Sequence, residues 1–278
     1  MRIYSKTALN TAYENTLYRT NVFIKTIEEK RPDEKTGDAY QNLAFSYRHL
    51  GICELMGKGD SNRFFGFMQK AAFVSRYFYS MVQKGFDPSP VNLTNKSNGA
   101  YFDAALISQG ADTAAFLARN ASQQHNPEYE YEDDFLLCDF MQKSFLNYFF
   151  SESHDLNSIL NRWEIVLAGN PNYYYDTCKS IHEKDINGFE MSLNDLIENR
   201  KSTIGKWKDH ISMDPDIRLI ESSIYTKGLA LLLIAEKNGF QTQEDYALIP
   251  RLARTKNSLT MLSLDSWRDI EEGMSQAQ

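Results

Sequence analysis

The stretch that decides the fold runs from Tyr173 to Phe240 and reads YYYDTCKSIHEKDINGFEMSLNDLIENRKSTIGKWKDHISMDPDIRLIESSIYTKGLALLLIAEKNGF. Its apolar residues recur at gaps of three and four positions, which is the helical period. We therefore predict three consecutive helices here. The middle helix has an apolar stripe made of Phe189, Leu193, Leu196, Ile197, Ile204 and Trp207. The last helix begins at Asp214-Pro215-Asp216 and ends at Asn238-Gly239, because an acidic cap with proline and a terminal glycine are typical helix boundaries.

The same period recurs along the rest of the chain and predicts an all-α fold of ten or eleven helices. Three further helices are predicted in the N-terminal part. The first ends at Arg31-Pro32, the second covers 38–56, and the third begins at Asp60 or Ser61 and ends at Gly85. Later helices are predicted over 100–108, 112–121, 134–150 and 154–168, followed by a short helix through Tyr246 and Ile249. Short turns between them favour antiparallel α-hairpins, an arrangement that also stacks into solenoids. We predict a single domain over residues 1–278, with a loop near 86–97 between an N-terminal and a C-terminal helical part.

The composition limits the classes of partner. The chain has 278 residues, of which 42% are apolar, so it can bury a large core. Its formal net charge of −7 opposes contact with nucleic acid and favours a basic protein partner. The N-terminus lacks the apolar core of a signal peptide, and no apolar run approaches the roughly 20 residues of a membrane span. We therefore expect a cytoplasmic protein that binds neither nucleic acid nor membrane.

The cysteines and histidines do not form a recognisable reactive set. The three cysteines, Cys53, Cys138 and Cys178, have no CxxC spacing, which predicts buried, reduced thiols. The five histidines are His49, His125, His154, His182 and His210, and none pairs at the i, i+4 spacing of a zinc-binding helix. The sequence thus predicts no catalytic residue, metal or cofactor.

Two charged segments have plain structural interpretations. His154-Asp155 resembles the core dipeptide of metal-dependent phosphohydrolases, but it stands where a helix begins, so Asp155 is predicted to act as a cap. The run Glu198-Asn199-Arg200-Lys201 is predicted to form a solvated helix face.

One acidic segment favours a binding role. Glu128-Tyr129-Glu130-Tyr131-Glu132-Asp133-Asp134 contains five carboxylates interleaved with two tyrosines. Glu132, Asp133 and Asp134 suit the positive end of the helix dipole, which does not account for Glu128 and Glu130. Carboxylates steer a basic partner and tyrosines add contact area, so all seven residues are candidates for partner contact. A solvated acidic loop is the alternative interpretation.

The C-terminal half resembles the immunity protein 49 family of bacterial polymorphic-toxin immunity proteins. The resemblance covers about Asp155 to Leu252. It rests on Ala168-Gly169-Asn170, on the segment from Cys178 to Glu190, on Leu193 to Arg200, on Asp214-Pro215-Asp216, on Gly228 to Leu231 with Asn238-Gly239-Phe240, and on Ile249-Pro250. It implies an all-α protein that needs no cofactor and protects its own cell by binding a contact-delivered toxin, a secretion-system effector.

We therefore expect an immunity protein, not an enzyme, that neutralises a cognate toxin by forming a stoichiometric complex. A nuclease is one class of basic toxin that an acidic inhibitor suits, on the ground of charge alone. Two other functions stay open at this point: a helical adaptor for other protein partners, and a metal-dependent hydrolase that uses His154 and Asp155.

Overall fold

The computed structural model describes residues 6–94, 96–97, 101–207, 213–254 and 261–274. Within these ranges the chain is helical, which confirms the all-α prediction. The α-helices are α1 (Lys6–Glu28), α2 (Pro32–Thr36), α3 (Asp38–Lys58), α4 (Ser61–Gln83), α5 (Pro90–Thr94), α6 (Tyr101–Ile107), α7 (Ala111–Asn120), α8 (Glu132–Phe150), α9 (Leu156–Leu167), α10 (Tyr173–Glu183), α11 (Ile186–Lys206), α12 (Pro215–Glu221) and α13 (Thr226–Lys237). Short 3-10 turns follow at Arg251–Ala253 and Ser266–Arg268.

Acidic and amide side chains fix where several helices begin. Asp60 caps α4 by accepting a hydrogen bond from the backbone N–H of Arg63 at 2.9 Å, so Asp60 and not Ser61 is the capping residue. Asp185 caps α11 and Asp214 caps α12 in the same way. These caps satisfy amide groups that the first helical turn leaves without partners, so they set the boundaries along the sequence.

Helices α1, α3 and α4 pack together in the N-terminal part. Two residues connect α3 to α4, and a glycine lets the two helices approach closely. A Cβ atom at Gly51 would lie 3.1 Å from the carbonyl oxygen of Phe64 and 3.2 Å from the Cβ of Phe67. Aromatic side chains from α4, including Phe64, Phe65 and Phe67, are fully buried there.

Contacts between distant segments close the fold. The pairs α8–α9 and α10–α11 pack as neighbours, as the hairpin prediction expects, but α12 also packs on α1 and α13 packs on α6. The packing is therefore not limited to sequential neighbours, as it would be in a solenoid. One cluster of buried apolar side chains includes residues from α1 through to Ile270.

The C-terminal segment is tied to α3 and α4 by buried polar groups. The Nζ of Lys70 in α4 donates to the backbone carbonyls of Ser266 at 2.9 Å, Asp269 at 2.5 Å and Ile270 at 3.0 Å. The hydroxyl of Tyr47 in α3 donates to the carbonyl of Trp267 at 2.5 Å. Because Trp267 is fully buried, this segment belongs to the core.

The predicted single helix from Asp214 to Asn238 is wrong, because the structure divides it into α12 and α13. The hydroxyls of Ser222 and Ser223 both bond to the carbonyl of Leu219, at 2.9 and 2.8 Å. The backbone N–H of Tyr225 donates to the carbonyl of Leu248 instead of to its own helix. Side-chain and tertiary hydrogen bonds thus replace the helical ladder at the break.

The predicted short helix through Tyr246 and Ile249 is also wrong. These two residues form an isolated antiparallel bridge, and Leu248 between them has φ +64°, in the left-handed region. The hydroxyl of Tyr246 donates to Glu190 at 2.5 Å, and Leu248 accepts from Tyr225. These contacts with α11 and with the start of α13 stabilise the turn in place of a helix.

The segment predicted as a loop near 86–97 contains α5 and buried polar side chains. Asn92 donates to the carbonyl of Thr36 at 2.9 Å and to the carboxylate of Asp38 at 2.7 Å. Lys96 is buried and forms an ion pair with Asp139 in α8 at 2.6 Å. The segment is thus anchored on both sides.

The three cysteines are free and buried, which confirms their predicted placement. No helix in the part of the chain that the structure describes is both long and apolar enough to cross a membrane.

Candidate functional site: an acidic surface beside α8

The acidic segment forms a turn over 127–129 and then enters α8 at Glu132. Asn126 organises the turn. Its side-chain oxygen accepts from the backbone N–H of Glu128 at 3.0 Å, and its backbone carbonyl accepts from those of Tyr129 and Glu130. This is the asparagine turn chemistry by which a short side chain replaces a backbone partner. Asn126 therefore fixes the backbone of residues 128–130, immediately before α8 begins.

Glu130 faces inward. One carboxylate oxygen accepts from the backbone N–H of Ser97 at 2.9 Å, and the other is buried without a hydrogen-bond partner. His125 contacts the backbone carbonyl of Glu130 at 2.8 Å. Glu130 thus holds the turn against the segment after α5, and its carboxylate is engaged in this internal contact.

Glu132 is engaged by Arg162 of α9. The guanidinium donates two hydrogen bonds to the carboxylate, at 2.6 and 2.9 Å. The hydrogen bonds from Arg162 lower the pKa of Glu132 below its usual value. Glu132 therefore joins the start of α8 to α9, and its negative charge is already compensated.

The remaining residues face outward. Tyr131 is 80% exposed, Glu128 and Asp134 are exposed, and Asp133 is half-buried. Among the described residues no lysine, arginine or histidine forms an ion pair with these three carboxylates. Desolvation by the surrounding protein and the neighbouring charge of Asp133 raise the pKa of Asp134, whereas the charge of Lys227 acts in the opposite direction.

Tyr129 bonds to a neighbour within the turn. A hydrogen bond to Glu128 raises the pKa of the Tyr129 hydroxyl. A neutral donor of this kind leaves the negative charge of Glu128 uncompensated. We name the exposed set of Glu128, Tyr131, Asp133 and Asp134 the α8 acidic surface.

One exposed apolar side chain lies on α9, the helix whose Arg162 contacts Glu132. Ile165 is 67% exposed and follows Arg162 by three residues, so both lie on one face of α9. The buried stripe of α9 is Leu156, Ile159, Leu160 and Trp163. Ile165 does not fall on that stripe at the helical period. Its position in the sequence therefore already indicates an exposed apolar side chain.

The other candidate residues have structural roles. Asp155 caps α9 through the backbone N–H of Ser158 at 3.1 Å, which confirms the capping interpretation, and His154 contacts Glu152 at 2.8 Å. No group of three or more metal-binding side chains occurs among the described residues, and His210 lies outside them.

Arg200 was predicted to lie on a solvated face, and this is wrong. It donates to the carbonyl of Glu221 at 3.0 Å and lies over the rings of Trp207 and Tyr225, at 4.5 and 5.5 Å from their centroids. Its other neighbours belong to a buried ionic cluster that nothing in the helical period predicts.

This cluster surrounds Glu221, the last residue of α12. Arg48 and His49 of α3 both contact one oxygen of its carboxylate, His49 at 2.8 Å, and Arg200 lies 3.6 Å from the other oxygen. Burial alone would raise the pKa of Glu221, but Arg48 and His49 outweigh it and hold that pKa below the ordinary 4.5. Burial lowers the pKa of His49 below 6.5, although Glu221 acts in the opposite direction.

Comparisons with models of known protein families, with curated proteins and with solved structures find no match for this chain. The resemblance to the immunity family therefore stays a prediction.

Proposed function

We propose that the protein is an immunity protein that neutralises a cognate bacterial toxin by stoichiometric binding, with the α8 acidic surface as its contact site. The observation that carries this proposal is the set of carboxylates around Tyr131, none of which forms an ion pair within the described chain. A basic toxin domain supplies the missing positive charges. A nuclease is one toxin class with such a charge.

The surface has the physical properties of a binding site. Uncompensated carboxylates accelerate the encounter with a basic partner, and this effect weakens as salt increases. Tyr131 offers a large side chain with few rotatable bonds, and Ile165 is a second exposed apolar side chain, on the neighbouring helix α9. Glu130 and Glu132 hold the segment in position instead of contacting the partner.

Rescue from toxicity tests the function itself. The toxin encoded immediately upstream of this gene is expressed in bacteria with and without the protein. We expect growth only when both are present, and a complex of one copy of each in size-exclusion chromatography. A toxin that kills equally in both cases contradicts the proposal, whereas an unrelated neighbouring gene favours the adaptor alternative.

Charge reversal tests the contact site. The triple variant Glu128→Lys, Asp133→Lys, Asp134→Lys should slow association by about tenfold or more at low salt. A matched control, Glu14→Lys, Glu183→Lys, Asp195→Lys, has the same net charge and changes exposed carboxylates on other helices. Equal association rates for the two variants would show that only the overall charge matters and that the α8 acidic surface is not the contact site.

A further inference from the structure

A second feature of the molecule is a partly open cavity of about 290 Å³ beside α3. Asp38, Gln41, Phe45 and Arg48 line it from one face of α3, because they follow each other at gaps of three and four residues. Tyr101 of α6 stands opposite. Small side chains from three helices leave the space empty: Ala44 of α3, Ala71 of α4 and Ala104 of α6. We name this cavity the α3 pocket.

One end of the α3 pocket has surplus positive charge. The guanidinium of Arg48 leans back along α3 and lies 4.9 Å from the centroid of the Phe45 ring. Arg48 and Arg200 share the single carboxylate of Glu221, so two positive charges face one negative charge. The Nε of Arg48 is buried without a hydrogen-bond partner. A carboxylate in the pocket would supply the second counter-charge.

The other end has a negative charge. The carboxylate of Asp38 accepts hydrogen bonds from the amide of Asn92 at 2.7 Å and from the hydroxyl of Thr36 at 2.8 Å. Both donors are neutral, and no cation among the described residues forms an ion pair with Asp38. An ammonium group would compensate this charge.

The middle of the pocket offers amide chemistry. The side-chain oxygen of Gln41 is buried and has no hydrogen-bond partner, so it can accept one N–H group from a ligand. Asn42 is exposed at the same rim and adds a second amide. Side-chain amides both donate and accept, which matches the N–H and C=O groups of a peptide bond.

The spacing sets the size of the ligand. The guanidinium of Arg48 is level with Phe45, seven residues after Asp38, and a helix rises about 1.5 Å per residue, so the charged ends lie roughly 10 Å apart. An extended peptide spans about 3.3–3.6 Å per residue, so three residues cover this distance. The cavity volume is near the lower end of small-molecule pockets, about 300–1,000 Å³.

We propose that the α3 pocket binds a short free peptide of about three small residues. Its terminal amine pairs with Asp38, its terminal carboxylate lies beside Arg48, and its peptide groups bond to Gln41. The alanine floor selects small side chains, since larger ones would meet Ala71 and Ala104. The α3 pocket includes none of the residues of the α8 acidic surface, so this site stands or fails independently of the proposed toxin binding.

Isothermal titration of the full chain with tri-alanine tests the proposal. We expect saturable binding with one site. N-acetyl-tri-alanine lacks the cationic amine and tri-alanine amide lacks the carboxylate, so each should bind at least about tenfold more weakly, because each loses a charge-assisted hydrogen bond. Absence of saturable binding, or equal binding of the blocked peptides, overturns the proposal.

Variants locate the binding site on the chain. Asp38→Asn keeps the size of the side chain and its acceptor for Asn92, and should weaken tri-alanine binding about tenfold or more while N-acetyl-tri-alanine is unaffected. Asp195→Asn removes an exposed carboxylate of α11 as a matched control and should bind tri-alanine like the unmodified chain. Equal affinity of Asp38→Asn and the control for tri-alanine shows that the peptide binds elsewhere and overturns the assignment.

Discussion

Asp133 in the first turn of α8 and Glu221 at the end of α12 are both carboxylates, but their surroundings differ. Asp133 has no ion-pair partner among the described residues, whereas Glu221 is enclosed by Arg48, His49 and Arg200. The side chain of Glu221 is only 15% exposed, so its pairs are shielded from water and salt. A half-buried carboxylate without an ion pair is available to a partner, whereas a buried and paired one is committed to the fold.

The buried charges of the Glu221 cluster stabilise the fold, whereas the charges of the α8 acidic surface act on other molecules. The Glu221 cluster connects α3 of the N-terminal part to α11 and α12 of the C-terminal part. Breaking such a buried pair leaves uncompensated charges in the interior, which is costly. Changing a charge on the α8 acidic surface alters the long-range electrostatic field and leaves most of the packing unchanged. We therefore expect substitutions in the Glu221 cluster to reduce stability much more than substitutions in the α8 acidic surface.

Glu221→Gln should lower the free energy of unfolding by about 3–5 kcal/mol, because the buried Arg48 and the half-buried Arg200 lose their counter-charge. Urea unfolding measures the change, with Asp195→Asn as the exposed control. A loss below about 1 kcal/mol would mean that water screens the cluster and that the contrast between the two regions is false.

Lys70→Met should destabilise the chain by about 1–3 kcal/mol, because the carbonyls of Ser266 and Ile270 lose a buried donor. We also expect faster proteolysis within residues 261–274. Lys201→Met removes an exposed lysine that forms an ion pair with Glu198 on the same helix, and should change stability by less than about 0.5 kcal/mol. Equal proteolysis of the two variants would show that Lys70 does not hold the segment.

As the pH falls, the Glu221 cluster should lose its contribution to stability before the α8 acidic surface is protonated. In the folded chain the pKa of His49 lies below 6.5, so the imidazole binds a proton more readily in the unfolded chain. Stability is therefore lost as the pH falls below 6.5. Glu221 adds a second loss as the pH falls below 4.5. The raised pKa of Asp134 has the opposite sign, since its contribution to stability declines as the pH rises past 3.8.

Urea midpoints between about pH 7 and pH 5 measure this dependence. His49→Gln should be less stable than the unmodified chain at neutral pH and should lose less further stability over this range, because the titrating group is absent. A variant with an unchanged slope would assign the acid sensitivity to other groups.

Tyr131→Ala should change the free energy of unfolding by less than about 0.5 kcal/mol, because the side chain is 80% exposed. The same variant should weaken toxin binding if the α8 acidic surface is the contact site. A clear loss of stability would show that Tyr131 is part of the packing and would remove the basis for its role in binding.

The sequence predicted most helices through local signals. Asp60 and Asp214 mark helix starts, and Gly59 and Gly85 follow helix ends with positive φ. Capping and apolar period act over a few residues, so they can be recognised without knowledge of the tertiary structure. The acidic segment was also recognisable, because it is a run of charged residues. The sequence did not show that Glu130 and Glu132 make internal contacts while the other residues face outward.

What failed depends on distant partners. The break after Glu221 depends on the hydrogen bond from Tyr225 to the distant Leu248, which is added to the local bonds of Ser222 and Ser223 to Leu219. Glu130 turns inward because the N–H of Ser97 is there to bond it. No local propensity contains such information.

The sequence by itself determined the all-α class, most helix boundaries and the negative charge of the chain, because each follows from residue type and short-range spacing. Only the tertiary structure decided which carboxylates stay exposed, which are paired with arginine, and where small side chains leave a pocket. The physical reason is that burial and ion pairing depend on residues brought together from distant positions, as Arg48 and Glu221 are.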